Sequence, residues 1–217
     1  MILLIFLGFK MFNIEGKETI RYRGYEKKTE RDILRSVWFE DGLVCATQAH
    51  LDESNLFLVV KVYQDSLYTS YVEKHKKGRL VLKEKREKGK IKVNLEGRKK
   101  EVSNPRVFDR HTLFEVLRFY DFENPEKMEI PLYVPEYKTV KASVEYVGID
   151  TVSTPLGKIA SHRLRLRILG LGGLISRLIG RPLDFDFWYA KDYPHYLVKF
   201  TDGKQGKIII KRIEEGR

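Results

Sequence analysis

RLVLKEKREKGKIKVNLEGRKKEV, residues 79–102, decides the fold class. Leu80 and Leu82 share one side of an extended chain, and Ile91, Val93 and Leu95 share one side of the next. Lysines and glutamates take the opposite positions. That period of two is the mark of half-buried antiparallel strands. Lys88-Gly89 and Glu96-Gly97 fall between the runs as corners, so Arg79 to Glu87, Lys90 to Glu96 and Arg98 to Val102 follow one another as a meander.

The pattern continues outward in both directions. Upstream it predicts strands over Glu18 to Tyr25, Ile33 to Phe39, Leu43 to His50, Leu56 to Tyr63 and Leu67 to Glu73, with Asp41-Gly42 and Gln64-Asp65 as hairpin turns. Downstream it predicts Tyr137 to Gly148, Lys158 to Leu169, Leu183 to Lys191, Tyr196 to Thr201 and Lys207 to Ile213, with Thr201 to Lys204 as a turn. Pro131 and Pro135 read as loop and edge positions, because proline cannot donate to a ladder.

Two segments break the alternation. Leu113, Val116, Leu117 and Tyr120 repeat at helical spacing, Asp109 is a suitable N-cap and Phe108 can staple onto Leu113, which predicts a three-turn helix over Phe108 to Phe122. Gly170, Gly172 and Gly173 precede Leu174, Ile175, Leu178 and Ile179, a glycine hinge followed by a short apolar helix. A dozen or so strands and one long helix exclude a bundle or a parallel α/β sheet. The fold class is therefore mainly β: a single curved antiparallel sheet, half-barrel or barrel-like, with one long helix across its concave face and a short second helix.

The chain has 217 residues and a formal charge of +11, which favours anionic partners. One cysteine, Cys45, excludes an intrachain disulfide and Cys-ligated zinc or iron–sulfur clusters. Met1 to Phe9 is apolar but far too short to cross a bilayer, whose hydrocarbon core is about 30 Å thick. Two readings of it stay open, a remnant export signal or membrane anchor and an apolar strand or tail packed on the domain. Residues 1–12 are set apart on that ground, and 13–217 read as one β-rich domain without an internal linker.

No motif argues for an enzyme or a cofactor. His50, His75, His111, His162 and His195 have no metal spacing, and no phosphate-binding glycine loop or nucleophile elbow occurs. Asp184 and Asp186 share a strand face and form the one carboxylate pair worth naming. Arg163, Arg165 and Arg167 alternate with Leu164, Leu166 and Ile168, so three guanidinium groups line one face of a strand. Either acidic cross-strand neighbours or an anionic partner must offset them. Nucleic acid is disfavoured, since no aromatic joins this basic stripe in sequence.

Three pieces carry a family resemblance. Asp109 to Arg118 (DRHTLFEVLR), Ser153-Thr-Pro-Leu-Gly157 leading into a strand, and Phe187 to Pro194 (FWYAKDYP) resemble the bacterial family called domain of unknown function 3108. The resemblance covers about half the chain and supplies no catalytic residue. It implies a periplasmic or cell-envelope protein whose half-barrel wraps a helix, similar in plan to periplasmic lipoprotein carriers.

The leading expectation is thus a non-enzymatic, lipid- or hydrophobic-ligand-binding envelope protein. Leu113, Leu117, Leu174, Ile175, Leu178 and Trp188 would form its cavity or lid, Arg163, Arg165 and Arg167 would contact anions, and no cofactor or metal takes part. The segment 170–180 could touch an anionic membrane surface. The alternatives are a scaffold with a filled core and an anionic-polymer-binding module.

Overall fold

Lys88 and Gly89 have φ of 49° and 76°, and Glu96 and Gly97 49° and 85°. These left-handed pairs match the twist of the strands they join, and each returns the chain in two residues. The computed structural model describes residues 9, 16–26, 29–103, 106–135, 139–170, 184–202 and 206–214. Its strands are β1 (Lys17–Glu26), β2 (Thr29–Glu40), β3 (Leu43–His50), β4 (Leu56–Tyr63), β5 (Thr69–Lys76), β6 (Arg79–Glu87), β7 (Lys90–Leu95), β8 (Arg98–Val102), β9 (Phe108–Asp109), β10 (Met128–Tyr133), β11 (Thr139–Thr154), β12 (Gly157–Ile168), β13 (Asp184–Ala190), β14 (Leu197–Thr201) and β15 (Gly206–Glu214).

All of them join one curved, open sheet in the order β8 back to β1, then β15 back to β9. Neighbours in the sheet are neighbours in the chain, apart from β1 and β15, which pair antiparallel. The sheet's two ends, β8 and β9, are consecutive in sequence. Curvature brings these ends close: Lys100 of β8 hydrogen-bonds the carbonyl of Pro135 just beyond β10, and its ammonium lies 5.6 Å from the centre of the Tyr133 ring.

The helical segment is shorter than the spacing predicts. It comprises a 3-10 turn (Arg110–Thr112), α1 (Leu113–Val116) and a second 3-10 turn (Leu117–Phe119), while Phe108 and Asp109 form β9 instead. Asp109 does cap it, accepting from the His111 N–H at 2.7 Å. Packed against the sheet, Thr112, Leu113, Val116, Leu117 and Phe119 are all buried, together with Glu115 and Arg118.

Two further differences have local causes. Pro131, expected at a loop or edge position, lies within β10 where the sheet reaches its edge. The outer neighbour β9 pairs only with Leu132 and Tyr133, so a residue lacking an N–H is accommodated. β11 runs on to Thr154, well past the expected end at Gly148, because Val147 and Gly148 (φ 131°) form a bulge in a continuing strand. Phe9 is buried, bridges to Tyr120 and packs 6.0 Å from Phe108, so that residue is part of the core. The expected short helix with Leu174, Ile175 and Leu178 lies outside the described residues.

Candidate functional site

The concave side is where an apolar ligand was expected, and the protein's own side chains occupy it. Leu113 and Leu117 are core residues packed in one continuous cluster. Between the helix and β1, β2 and β3 lies a cavity of about 10 Å³, bounded by Tyr22, Arg35, Val37, Phe114, Glu115 and Arg118 among others. That is room for one water. A pocket for a small ligand measures about 300 Å³ or more. Leu113 and Leu117 are thus buried positions of the core around the helix.

The charges buried there hold the helix. Arg35 donates to Glu115 and, at 2.8 Å, to Gln48, and its guanidinium lies 4.9 Å from the Phe114 ring centre. Arg118 grips both carboxylate oxygens of Glu18, at 3.0 and 2.7 Å. The Tyr189 hydroxyl donates to the Phe114 carbonyl at 3.0 Å. Burial lowers the Arg35 pKa and raises those of Tyr22 and Tyr189. An apolar helix face was legible in the sequence; this polar network was not, because its members come from distant strands.

Trp188 lies away from the helix, in the lining of a different groove. Its register neighbours are Arg163 on β12 and Lys199 on β14. Strand alternation therefore puts it on the opposite face from Phe187, which packs edge-on to Phe114 of the helix. The tryptophan joins the arginine stripe, a meeting that sequence adjacency had disfavoured. The stripe itself is paired: Arg165 Nε donates to Asp186 at 2.9 Å, Arg163 to Asp186 at 3.0 Å, and Arg167 lies 3.4 Å from Glu145 and 3.8 Å from Asp184. Asp184 and Asp186 are accordingly engaged as ion-pair partners.

An open groove of about 560 Å³ forms over this face. Its origin is the Gly148 bulge. Beyond it the β11–β12 hairpin bends so far that β11 comes into contact with β15, although three strands separate them in the sheet. Strands lie about 4.8 Å apart, so a flat sheet would hold this pair some four spacings from each other. Val152 of the arm and Ile209 of β15 both line the groove and are largely buried. Trp188 is the floor, Lys199, Lys207 and Arg163 supply positive charge, and Asp150, Ser153 and Thr201 supply oxygen atoms.

Electrostatics in the groove are unbalanced. The Lys199 ammonium lies 4.1 Å from the Trp188 ring centre and the Arg163 guanidinium 5.0 Å from it. Asp150 accepts from the indole N–H at 2.9 Å and sits 3.5 Å from Arg163. Among the described residues no carboxylate comes within ion-pair distance of Lys199 or Lys207. The Lys199 pKa is lowered, first by burial and then by repulsion from Lys207 and Arg163, against the opposing pull of Asp150 and Asp186. Lys199 and Lys207 look like ordinary solvated lysines in sequence; only the pairing of β13, β14 and β15 joins them to Trp188.

A second cluster gathers two of the histidines. His162 stacks on Phe122 at 4.2 Å between ring centres, lies 5.7 Å from His195, and shares a 3.1 Å hydrogen bond through Nδ1 with the Tyr146 hydroxyl. Burial, then His195 and Lys191, lower its pKa.

No protein-family model matches this chain, and no curated protein matches it. Among solved structures, it is similar to a candidate exported protein with a YmcC-like fold from Bacteroides fragilis, 11% identical, with 96% of this chain and 100% of that one covered at a TM-score of 0.38. It is also similar to a candidate lipoprotein from Parabacteroides distasonis, 11% identical, with 96% of this chain and 99% of that one covered at a TM-score of 0.31.

Proposed function

We propose that the protein is a non-enzymatic binding module of the bacterial cell envelope that takes an anionic ligand in the groove over Trp188. The observation that carries this reading is the convergence of Lys199 and Lys207 on one groove beside Arg163, which Asp186 and Asp150 already pair, with Lys199 and Lys207 lacking carboxylate partners among the described residues. Like charges held together oppose folding, and a bound anion would relieve that repulsion. The groove also lies within the size range of small-ligand sites, about 300–1,000 Å³.

The envelope part of the proposal rests on the resemblance to the domain of unknown function 3108 family. Two pieces of that resemblance, the arginine closing the helix and the Asp/Pro turn, touch each other here through Arg118 and Pro194. The approach of Lys100 to Pro135 supports a barrel-like wrap of the sheet around the helix. The water-sized cavity inside that wrap speaks against an acyl chain as the ligand and favours, as a second reading, a scaffold with a filled core.

The two indole N–H signals provide the test. Titration of the 15N-labelled protein with glucuronate and, separately, inorganic phosphate at low salt should shift the Trp188 indole and leave that of Trp38 unmoved, and the shift should vanish in the Lys199→Ala, Lys207→Ala double variant. No shift at Trp188 with either anion, or one unchanged by the double substitution, leaves the scaffold reading in its place.

A further inference from the structure

The groove's oxygen-bearing wall narrows the ligand class. The floor, from β13, β14 and β15, presents cations beside Trp188, whereas the overhanging arm of β11 presents the Asp150 carboxylate and the Ser153 hydroxyl, with Thr201 opposite. Asp150 is held in place by the Trp188 indole and Arg163, yet its side chain is 45% exposed. A ligand that is charged all along its length and offers only acceptors, such as a polyphosphate, meets repulsion at Asp150. One that carries a carboxylate and also hydroxyl donors satisfies both walls: the anion against Lys199 and Lys207, the hydroxyls against Asp150 and the side-chain hydroxyls. Val152 and Ile209 give the C–H surface of such a ligand an apolar contact.

From this geometry we infer that the groove takes an acidic sugar, a carboxylated saccharide unit, and that Asp150 is the specificity-determining residue that rejects bare polyanions. This rests on the anion-binding reading above and goes beyond it. The groove's volume of about 560 Å³ accommodates an oligosaccharide rather than a single carboxylate. Specificity here would come partly from an unfavourable contact with the wrong ligand.

The test uses three probes of three repeating units each, trigalacturonate, the neutral maltotriose and tripolyphosphate, titrated calorimetrically into the intact protein at fixed ionic strength. Trigalacturonate should bind at least about tenfold more tightly than either competitor, a factor worth about 1.4 kcal/mol. Asp150→Asn, which keeps the shape, should tighten tripolyphosphate binding several-fold without tightening that of trigalacturonate. If tripolyphosphate binds as well as trigalacturonate to the unsubstituted protein, the sugar inference is overturned while the anion groove stands. If maltotriose matches trigalacturonate, or if nothing binds, both fall together. Circular dichroism of the Asp150→Asn protein separates a lost fold from altered selectivity.

Discussion

Arg118, at the end of the helical rod, donates through Nε to the carbonyl oxygen of Pro194 at 2.7 Å. The same guanidinium forks onto Glu18 of β1, so one side chain joins the helix, the first strand and the turn between β13 and β14. Arg118 is 3% exposed. A charge this deeply buried is tolerated only when hydrogen-bonded and paired.

Removing that side chain strands Glu18. Arg118→Leu should therefore destabilise by about 3–5 kcal/mol, read as a lower denaturant midpoint with an unchanged slope. Arg118→Lys, which keeps the charge but has no planar fork, should recover only part of the loss. A leucine variant within 1 kcal/mol of the parent, on the scale of about 1 kcal/mol typical of point substitutions, would discount the three-way anchor.

Arg35 and Glu115 form another buried pair, with side-chain exposures of 5% and 1%. Arg35→Met and Glu115→Leu singly should each cost about 3–5 kcal/mol, because each leaves the opposite charge uncompensated. Together they should cost clearly less than the sum. A double-mutant cycle with a coupling below about 0.5 kcal/mol, the level expected of independent sites, would show that the pair does not act as a unit.

Glu84 of β6 is 1% exposed, and burial, then the neighbouring Asp109, push its carboxyl well above the usual range. The folded protein thus holds a proton there that the unfolded chain releases near pH 4.3. The associated stability is complete below about pH 4.3 and declines as the pH rises towards the folded value, by at most about 1.4 kcal/mol per pH unit. Glu84→Gln should remove that slope, so the variant gains on the parent as pH increases from 5 to 8. Parallel stability profiles for the two proteins over this range would contradict the assignment.

His162 behaves in the opposite sense. Its pKa is lowered below the ordinary value of about 6.5, so the folded state keeps it neutral while the unfolded chain protonates. Its contribution is present above about pH 6.5 and is lost as the pH falls through the folded value. Imidazole resonances should give His162 a midpoint below 6.5, and His162→Gln should flatten stability on the acid side; a midpoint above 6.5 would rule out this account of the cluster with Phe122 and His195.

The strand ladder was readable one residue at a time. β3, β4, β6 and β8 begin and end where the alternation and the X-Gly corners place them, because period-two patterning and left-handed turn pairs depend on residues adjacent in the chain. The helix was legible as an apolar repeat around Leu113 and Leu117, but not as an element shortened to ten residues between two strands with most of its side chains buried. Pro131 does fall at the sheet's edge, and whether such a proline lies in a loop or a strand depends on what is beside it in the sheet.

What the sequence determined by itself is a basic, mainly β chain with one helical interruption and an arginine stripe on a strand face, since these follow from composition and local period. Tertiary structure alone decided that the concave side is filled, that Asp186 and Glu145 meet the arginines, and that Trp188 turns away from the helix to lie beneath Lys199. The physical reason is register. Cross-strand partners and the bend at Gly148 are set by pairing between segments tens of residues apart, and no single segment encodes which neighbour it will receive.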